Sequence, residues 1–230
     1  MQYSFGKTVV VALGGSVLYP DVIDIQFLRN FKKFVYSLTS HGERFVFAVG
    51  GGSVARTYIE AAAKVTKLTD EDKDWLGIHA TRTNAHLVRA IFKEVANPVV
   101  IDTRGKIGKL TYPVTVASGW HPGWSTDYVA MALAEDFRVP EVIIAGKPAY
   151  VCDKDPREYK NAKPFHEISW KEYRKLIPKK WSPGSHAPVD PIAARLGEKA
   201  GINAVIVNGR HMKNFKNLIL GKEFEGTIIS

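Results

Sequence analysis

Short apolar runs that are continuous rather than alternating recur along the chain. Seven are rich in β-branched residues: Thr8–Leu13, Arg44–Val49, Pro98–Ile101, Pro113–Ala117, Glu141–Ala145, Asn203–Val207 and Gly226–Ile229. Runs without a polar face predict strands buried on both sides. Between them the period changes. From Ile25 to Leu38 the apolar residues Phe27, Leu28, Phe31, Phe34, Val35 and Leu38 form one helical stripe, fit for a core or an interface. Trp75 to Val95, Thr126 to Phe137 and Pro191 to Ala200 carry similar patterns, and Pro191 suits a first helical turn, where its missing N–H costs little. Strands alternating with helices predict an α/β fold, with a mainly parallel sheet and helices on both faces. The stretch from Lys147 to Ser185 breaks this rhythm with five prolines and one helical segment, Ser169 to Ile177. It reads as a loop-rich excursion from the sheet, not as a second domain.

Two strands end in glycines. Phe45 to Val49 runs into Gly50-Gly51-Gly52 and then straight into a helical pattern. Such a turn exposes backbone N–H groups with no side chains in the way, and the helix start adds partial positive charge, so the pair suits a phosphate. Arg56, one turn into that helix, is placed to reach the same anion with a planar fork of donors. Gly14-Gly15-Ser16 follows the first strand in the same way. Two such turns suggest two phosphate groups, or one phosphate passed between two ligands. The competing reading is a pair of tight turns with Arg56 on a wet surface.

Composition narrows the setting. A chain of 230 residues, 45% of them hydrophobic, can bury a substantial core. Its apolar runs are too short to cross a bilayer, and the first residues lack the pattern of a signal peptide. The single cysteine, Cys152, excludes an internal disulfide framework and a multi-cysteine metal site, and suits a small filler. A soluble, cytoplasmic protein is expected. The net charge of +9 favours anionic partners such as nucleotides. Basic residues concentrate between Lys147 and Lys180, but no nucleic-acid signature or basic–aromatic interleaving accompanies them.

A third strand, Pro113–Ala117, enters a Gly-rich loop before a helix, in "ASGWHPGWSTDYVAMALAE". Ser125 or Thr126 is the candidate cap, and Asp127 falls in the first turn, where a carboxylate is favoured. Trp120, His121 and Trp124 flank Pro122-Gly123, and flat rings beside glycines suit a base or sugar. Two other motifs are weak. Gly50-x-Gly52-x-x-Ala55, with Asp70 downstream, fits a loose dinucleotide fingerprint but lacks the second strand soon afterwards. "GKIGKLT" around Gly105 lacks the spacing of a phosphate loop and reads as a basic turn.

Taken in order, "GGSVLYP", "VGGGSVARTYIE", "KDWLGIHATRTNA", "SGWHPGWSTDYVAMALAE", "DKDPREYKNAKP", "PGSHAPVDPIAAR" and "GTII" resemble the amino acid kinase superfamily, and within it the archaeal-type UMP kinases. The resemblance runs over nearly the whole chain. It implies one α/β/α sandwich, with an acceptor half over about residues 1–137 and a donor half over about residues 138–230. It implies Mg²⁺-dependent transfer of the ATP γ-phosphate to UMP, giving UDP. By that resemblance Gly50, Gly51, Gly52 and Arg56 hold the UMP phosphate, and Asp74 and Gly77 meet ribose and base. Trp120, Thr126 and Asp127 close over the uracil. Gly14, Gly15 and Ser16 lie under the transferred group, and Asp190 belongs to the catalytic end of the sheet. No metal-ligand set is assigned. The resemblance also implies a homo-oligomer, hexamer or dimer.

The donor half departs from the family. Ala12 stands where many relatives carry lysine before the glycines. "GKPAYVCDKDP" stands where an Asn-Val-Asp-Gly-Val-Tyr-like turn is usual, so that Ala149 replaces aspartate, Tyr150 glycine and Cys152 the aromatic. Lys147, Tyr150, Asp153 and Asp155 are the candidates left near ATP, with loop capping the alternative for the two aspartates. These changes motivate a second reading: a catalytically impaired relative that keeps nucleotide or oxoanion binding for regulation or storage. An isopentenyl phosphate kinase is disfavoured, because Val54-Ala55-Arg56 lacks that branch's histidine after the glycines.

Overall fold

The computed structural model describes residues 1–180 and 187–230. Pro183 to His186 of the motif quoted above, and the end of the proline-rich excursion, lie outside the described residues. The chain begins with β1 (Thr8–Leu13), a single turn α1 (Gly15–Leu18), α2 (Ile25–Thr39), β2 (Arg44–Val49), α3 (Gly52–Val65) and α4 (Asp70–Ile91). It continues with β3 (Val114–Ala117), α5 (Thr126–Phe137), β4 (Glu141–Gly146) and the short strands β5 (Val151–Cys152), β6 (Pro164–Phe165) and β7 (Glu167–Ile168). It closes with α6 (Trp170–Leu176), α7 (Pro191–Ala200), β8 (Asn203–Asn208), α8 (Met212–Ile219) and β9 (Thr227–Ile229).

Seven strands form one sheet in the order β3-β2-β1-β4-β8-β9-β7, and β5 pairs with β6 as a separate two-stranded ribbon. All neighbours in the large sheet are parallel except β8 and β9. Both faces are covered, which explains the unbroken apolar runs. Val9, Val11 and Leu13 of β1 meet a layer built from α2, α4 and α8, through Phe31, Val88 and Phe215. Val10 and Ala12 meet the opposite layer, built from α5, α6 and α7, through Met131, Tyr173 and Ala193. The stripe on α2 therefore belongs to the core: Phe31 sits edge-on to Phe47 of β2 at 5.2 Å.

The sequence pattern misplaces a few boundaries. The Pro98–Ile101 run meets the edge of β3 only through an isolated bridge from Ile101 to Ala117, with a second bridge, Ala96 to Val114, just before it. Pro98 offers no N–H to a ladder, and the Val99 amide donates instead to the Asn97 side chain at 2.9 Å. The helix expected from Trp75 begins earlier, at Asp70, because Thr69 and Asp72 form a capping box. Three acids in its first turn, Asp70, Glu71 and Asp72, add favourable charge there. Within the proline-rich excursion the ribbon β5–β6 and the strand β7 are too short to leave a sequence pattern.

Candidate active site

The tips of β1, β2 and β4 converge. The Gly14 amide donates to Ala145 O of β4, and the Gly50 amide donates to Leu13 O of β1, each at 2.9 Å. The two glycine turns are thereby pressed together. A Cβ on Gly15 would lie 2.0 Å from Gly52 N, and one on Gly50 would lie 2.6 Å from Gly15 N. A Cβ on Gly52 would lie 2.5 Å from Gly15 O, and Gly52 also has φ +66°, a conformation that favours glycine. These glycines let the two turns interlock with no side chain between them, while the amides of Gly51 and Gly52 have no protein acceptor among the described residues. Ser16, half-buried, follows on the α1 turn.

Beside this junction opens a cleft of about 310 Å³, at the small end of ordinary ligand pockets. Gly51, Gly52 and the exposed Arg56 line one part of it. No carboxylate among the described residues pairs with Arg56. The face of α4 carrying Asp74, Gly77, Ile78 and Thr81 forms a wall. Gly77 is in the middle of a helix, yet a Cβ there would meet no protein atom within 4 Å. Neither a turn nor a neighbouring side chain requires glycine at this position.

The loop from Gly119 to Ser125 is tied to α4 at two points. The Gly119 amide donates to Thr81 Oγ1 and the Gly123 amide to Asp74 Oδ2, each at 2.7 Å. Gly123 takes φ +85°, as the tight turn after Pro122 needs. Burial raises the Asp74 carboxyl above its ordinary range, with the Gly123 amide acting the other way. The turn also sorts the tryptophans. Trp120 is only 6% exposed, donates its indole N–H to Ile101 O at 3.1 Å, and belongs to the core. Trp124 lines the cleft instead, packed on Tyr128 with ring centroids 4.8 Å apart.

At the other part of the cleft the starts of α5 and α7 meet. Ser125, not Thr126, caps α5, accepting from the Tyr128 amide at 3.0 Å, and its hydroxyl donates to Asp190. Asp190 in turn caps α7, accepting from the amides of Ile192 and Ala193 at 2.7 and 3.1 Å. Asp127 accepts from the Asp190 backbone. Burial, and then the Asp190 charge, push the Asp127 carboxyl far above the usual carboxylate range, because two close carboxylates resist ionising together. Thr126, Asp127 and Asp190 all line the cleft. The Tyr173 hydroxyl, buried beneath, donates to Val189 O and accepts from the Val189 amide, each at 2.7 Å, and so clasps the residue before Asp190.

The donor candidates lie apart from this cleft. Lys147 is exposed in the turn after β4. Tyr150 stands edge-on to His166 at 5.8 Å. Asp153 accepts from the Lys163 amide at 2.8 Å, and Asp155 from the Arg157 amide at 2.9 Å, so both hold their own loops. Ala12, only 2% exposed, faces the apolar layer of α5, where a lysine stem would have to thread between packed side chains. Among the described residues no group of three or more His, Cys, Asp or Glu gathers as a metal site. A smaller cavity, of about 250 Å³, lies beside Trp170 and Asn203 at the opposite end of β8.

Sequence reasoning passed over Asn84. It is 4% exposed on α4, and its Nδ2 donates to Gly50 O at 2.9 Å and to Gly51 O at 3.0 Å. The available signal was a polar residue on the inward stripe of α4, among Ile78, Ala85 and Val88.

A parallel sheet covered on both faces, with two interlocked glycine turns at the strand tips, defines a phosphate-handling α/β sandwich. The chain belongs to the amino acid kinase family, whose model matches residues 7–208. It is 35% identical over 226 residues to a uridylate kinase of Pyrococcus abyssi, covering 96% of this chain and 98% of that protein. It is 34% identical over 224 residues to a uridylate kinase of Methanocorpusculum labreanum, covering 96% and 94%. The crystal structure of uridylate kinase from Archaeoglobus fulgidus superposes with a TM-score of 0.82 at 28% identity, over 100% of both chains. No helix among the described residues is long and apolar enough to cross a membrane.

Proposed function

We propose that this protein is a UMP kinase that transfers the γ-phosphate of ATP to UMP, giving UDP. The observation that carries the reading is the contact between the two glycine turns, where Gly15 and Gly52 leave no room for a side chain. Adjacent anion sites are what transfer between two phosphorylated ligands requires, because that chemistry rests on positioning and charge neutralisation. Relatives that match almost end to end and are named uridylate kinase support the same substrate. They favour turnover over the binding-only alternative.

In this reading Gly51, Gly52 and Arg56 take the UMP phosphate, and Asp74, Gly77 and Trp124 surround ribose and base. The first 137 residues or so then form the acceptor half and the rest the donor half. Mg²⁺ suits the chemistry here, since it binds through one or two carboxylates together with phosphate oxygens and water. Asp127 and Asp190, two carboxylates that crowd each other, would hold it. When bound, the ion neutralises charge on the transferred group. ATP would approach from the side of Lys147, Tyr150, Asp153 and Asp155. A cytoplasmic location and a homo-oligomer, hexamer or dimer, complete the proposal. Helix α3 has no buried residue and leaves Tyr58 62% and Val65 88% exposed, a face suited to a second copy.

The test is UDP formation from UMP and ATP–Mg²⁺ by the purified chain. Arg56→Ala is expected to lose about 2–3 kcal/mol of transition-state stabilisation, since bonds to a charged phosphate have that size. If both nucleotides bind and no UDP forms above the Arg56→Ala control, the proposal is wrong.

A further inference from the structure

The acceptor turn needs something to keep it in shape. Three glycines in a row have the widest conformational freedom a chain can have, and the carbonyl oxygens of Gly50 and Gly51 are as able to face the cleft as the amides are. An oxygen turned toward a phosphate would repel it. Several groups around the turn are already committed. The Gly50 amide is held by Leu13 O. The Ser53 amide and hydroxyl are both held by Tyr19 O, at 3.4 and 3.1 Å. The amides of Gly51 and Gly52 donate to no protein acceptor among the described residues.

Asn84 decides where those two amides point. Its Nδ2 carries two hydrogens and serves two acceptors, Gly50 O and Gly51 O. The opposite orientation of the side-chain amide would bring three oxygens together, so the bonding settles which atom faces the turn. A trans peptide is planar, with its C=O and N–H on opposite sides. Drawing the Gly50 and Gly51 carbonyls toward α4 therefore turns the Gly51 and Gly52 amides the other way. Both of those glycines line the cleft.

We propose that Asn84 is a positioning residue for the acceptor phosphate: by holding two carbonyls against α4, it aims the two following amides at the phosphate. The proposal rests on the reading that this cleft takes a nucleoside monophosphate. Asn84 touches no substrate, and its effect is specific to the ligand's charged group. Base and sugar are held elsewhere, by the α4 wall and the Trp124 loop.

The test compares UMP with uridine as ligands of the full chain, by titration calorimetry, with thermal unfolding measured alongside. Asn84→Asp keeps the shape, removes both donor hydrogens and sets a carboxylate against two carbonyl oxygens. It is expected to weaken UMP by at least about tenfold and to leave uridine within about twofold. Asn84→Ser, uncharged and with one donor, covers the case in which the aspartate variant does not fold; a smaller loss, again confined to UMP, is expected. In turnover, KM for UMP should rise more than KM for ATP. A purely structural role would weaken both ligands alike or neither, and that result overturns the proposal. Wild-type protein that binds uridine as well as UMP would instead sink the underlying assignment of the cleft.

Discussion

Replacing Gly77 with alanine should push stability and substrate binding in opposite directions. Gly77 is an interior residue of α4, where glycine costs about 1 kcal/mol relative to alanine. The added methyl would meet no protein atom within 4 Å, so nothing in the protein opposes the gain. For a chain of 230 residues, about 1 kcal/mol corresponds to a rise of about 2 °C in Tm. The same methyl enters the cleft between Asp74 and Thr81, whose side chains share that helix face. Filling space that a ligand needs costs about 1–3 kcal/mol, or roughly 5-fold to 150-fold in affinity. The assay is thermal unfolding without ligand and with saturating UMP, together with KM for both nucleotides. Gly77→Ala should melt higher than wild type when free, gain less from UMP, and show a raised KM for UMP with KM for ATP nearly unchanged. A lower Tm would mean that the space is not open. An unchanged KM for UMP would mean that the nucleotide does not pass this face of α4, and the placement of ribose and base would have to be redrawn.

Gly15→Ala should be severely destabilising, because the methyl would fall 2.0 Å from backbone rather than from a yielding side chain; urea unfolding should show a loss of several kcal/mol, in the upper range for single substitutions (~4 kcal/mol or more). Asp127 gives a pH signature. Its folded pKa, about 8, lies above the ordinary 3.8 of an aspartate, so between those values the native state holds a proton that the unfolded state releases. The associated stability is full below pH 3.8 and is lost as pH rises through about 8. Asp127→Asn should therefore change Tm little at low pH and raise it most above pH 8, while UDP formation falls; a Tm gain that does not grow with pH would refute this account.

Much of the fold is written in local periodicity. The strand–glycine–helix units around Gly14 and Gly50 are readable because a buried strand, a bare turn and an amphipathic helix each leave a short-range pattern. The boundary errors have local causes too. The Pro98 run has strand-like composition but loses one amide to proline and commits that of Val99 to Asn97, leaving Ile101 to bridge β3, and the start of α4 was marked by a capping box at Thr69 and Asp72. The two tryptophans are a different matter. Trp120 and Trp124 are equally plausible neighbours of a base, and nothing in their spacing separates them. The separation comes from the positive φ at Gly123 and the bonds that tie the loop to Asp74 and Thr81.

The sequence by itself determined the α/β class, the strand tips that end in glycine, and the residue types able to bind an anion, since each depends on neighbours a few positions apart. Only the tertiary structure decided that the two glycine turns touch, that Asn84 bonds to one of them, and that Ser125, Asp127 and Asp190 converge. Those contacts join residues separated by 33 to 65 positions, and their geometry is set by how strands and helices pack across the whole sheet.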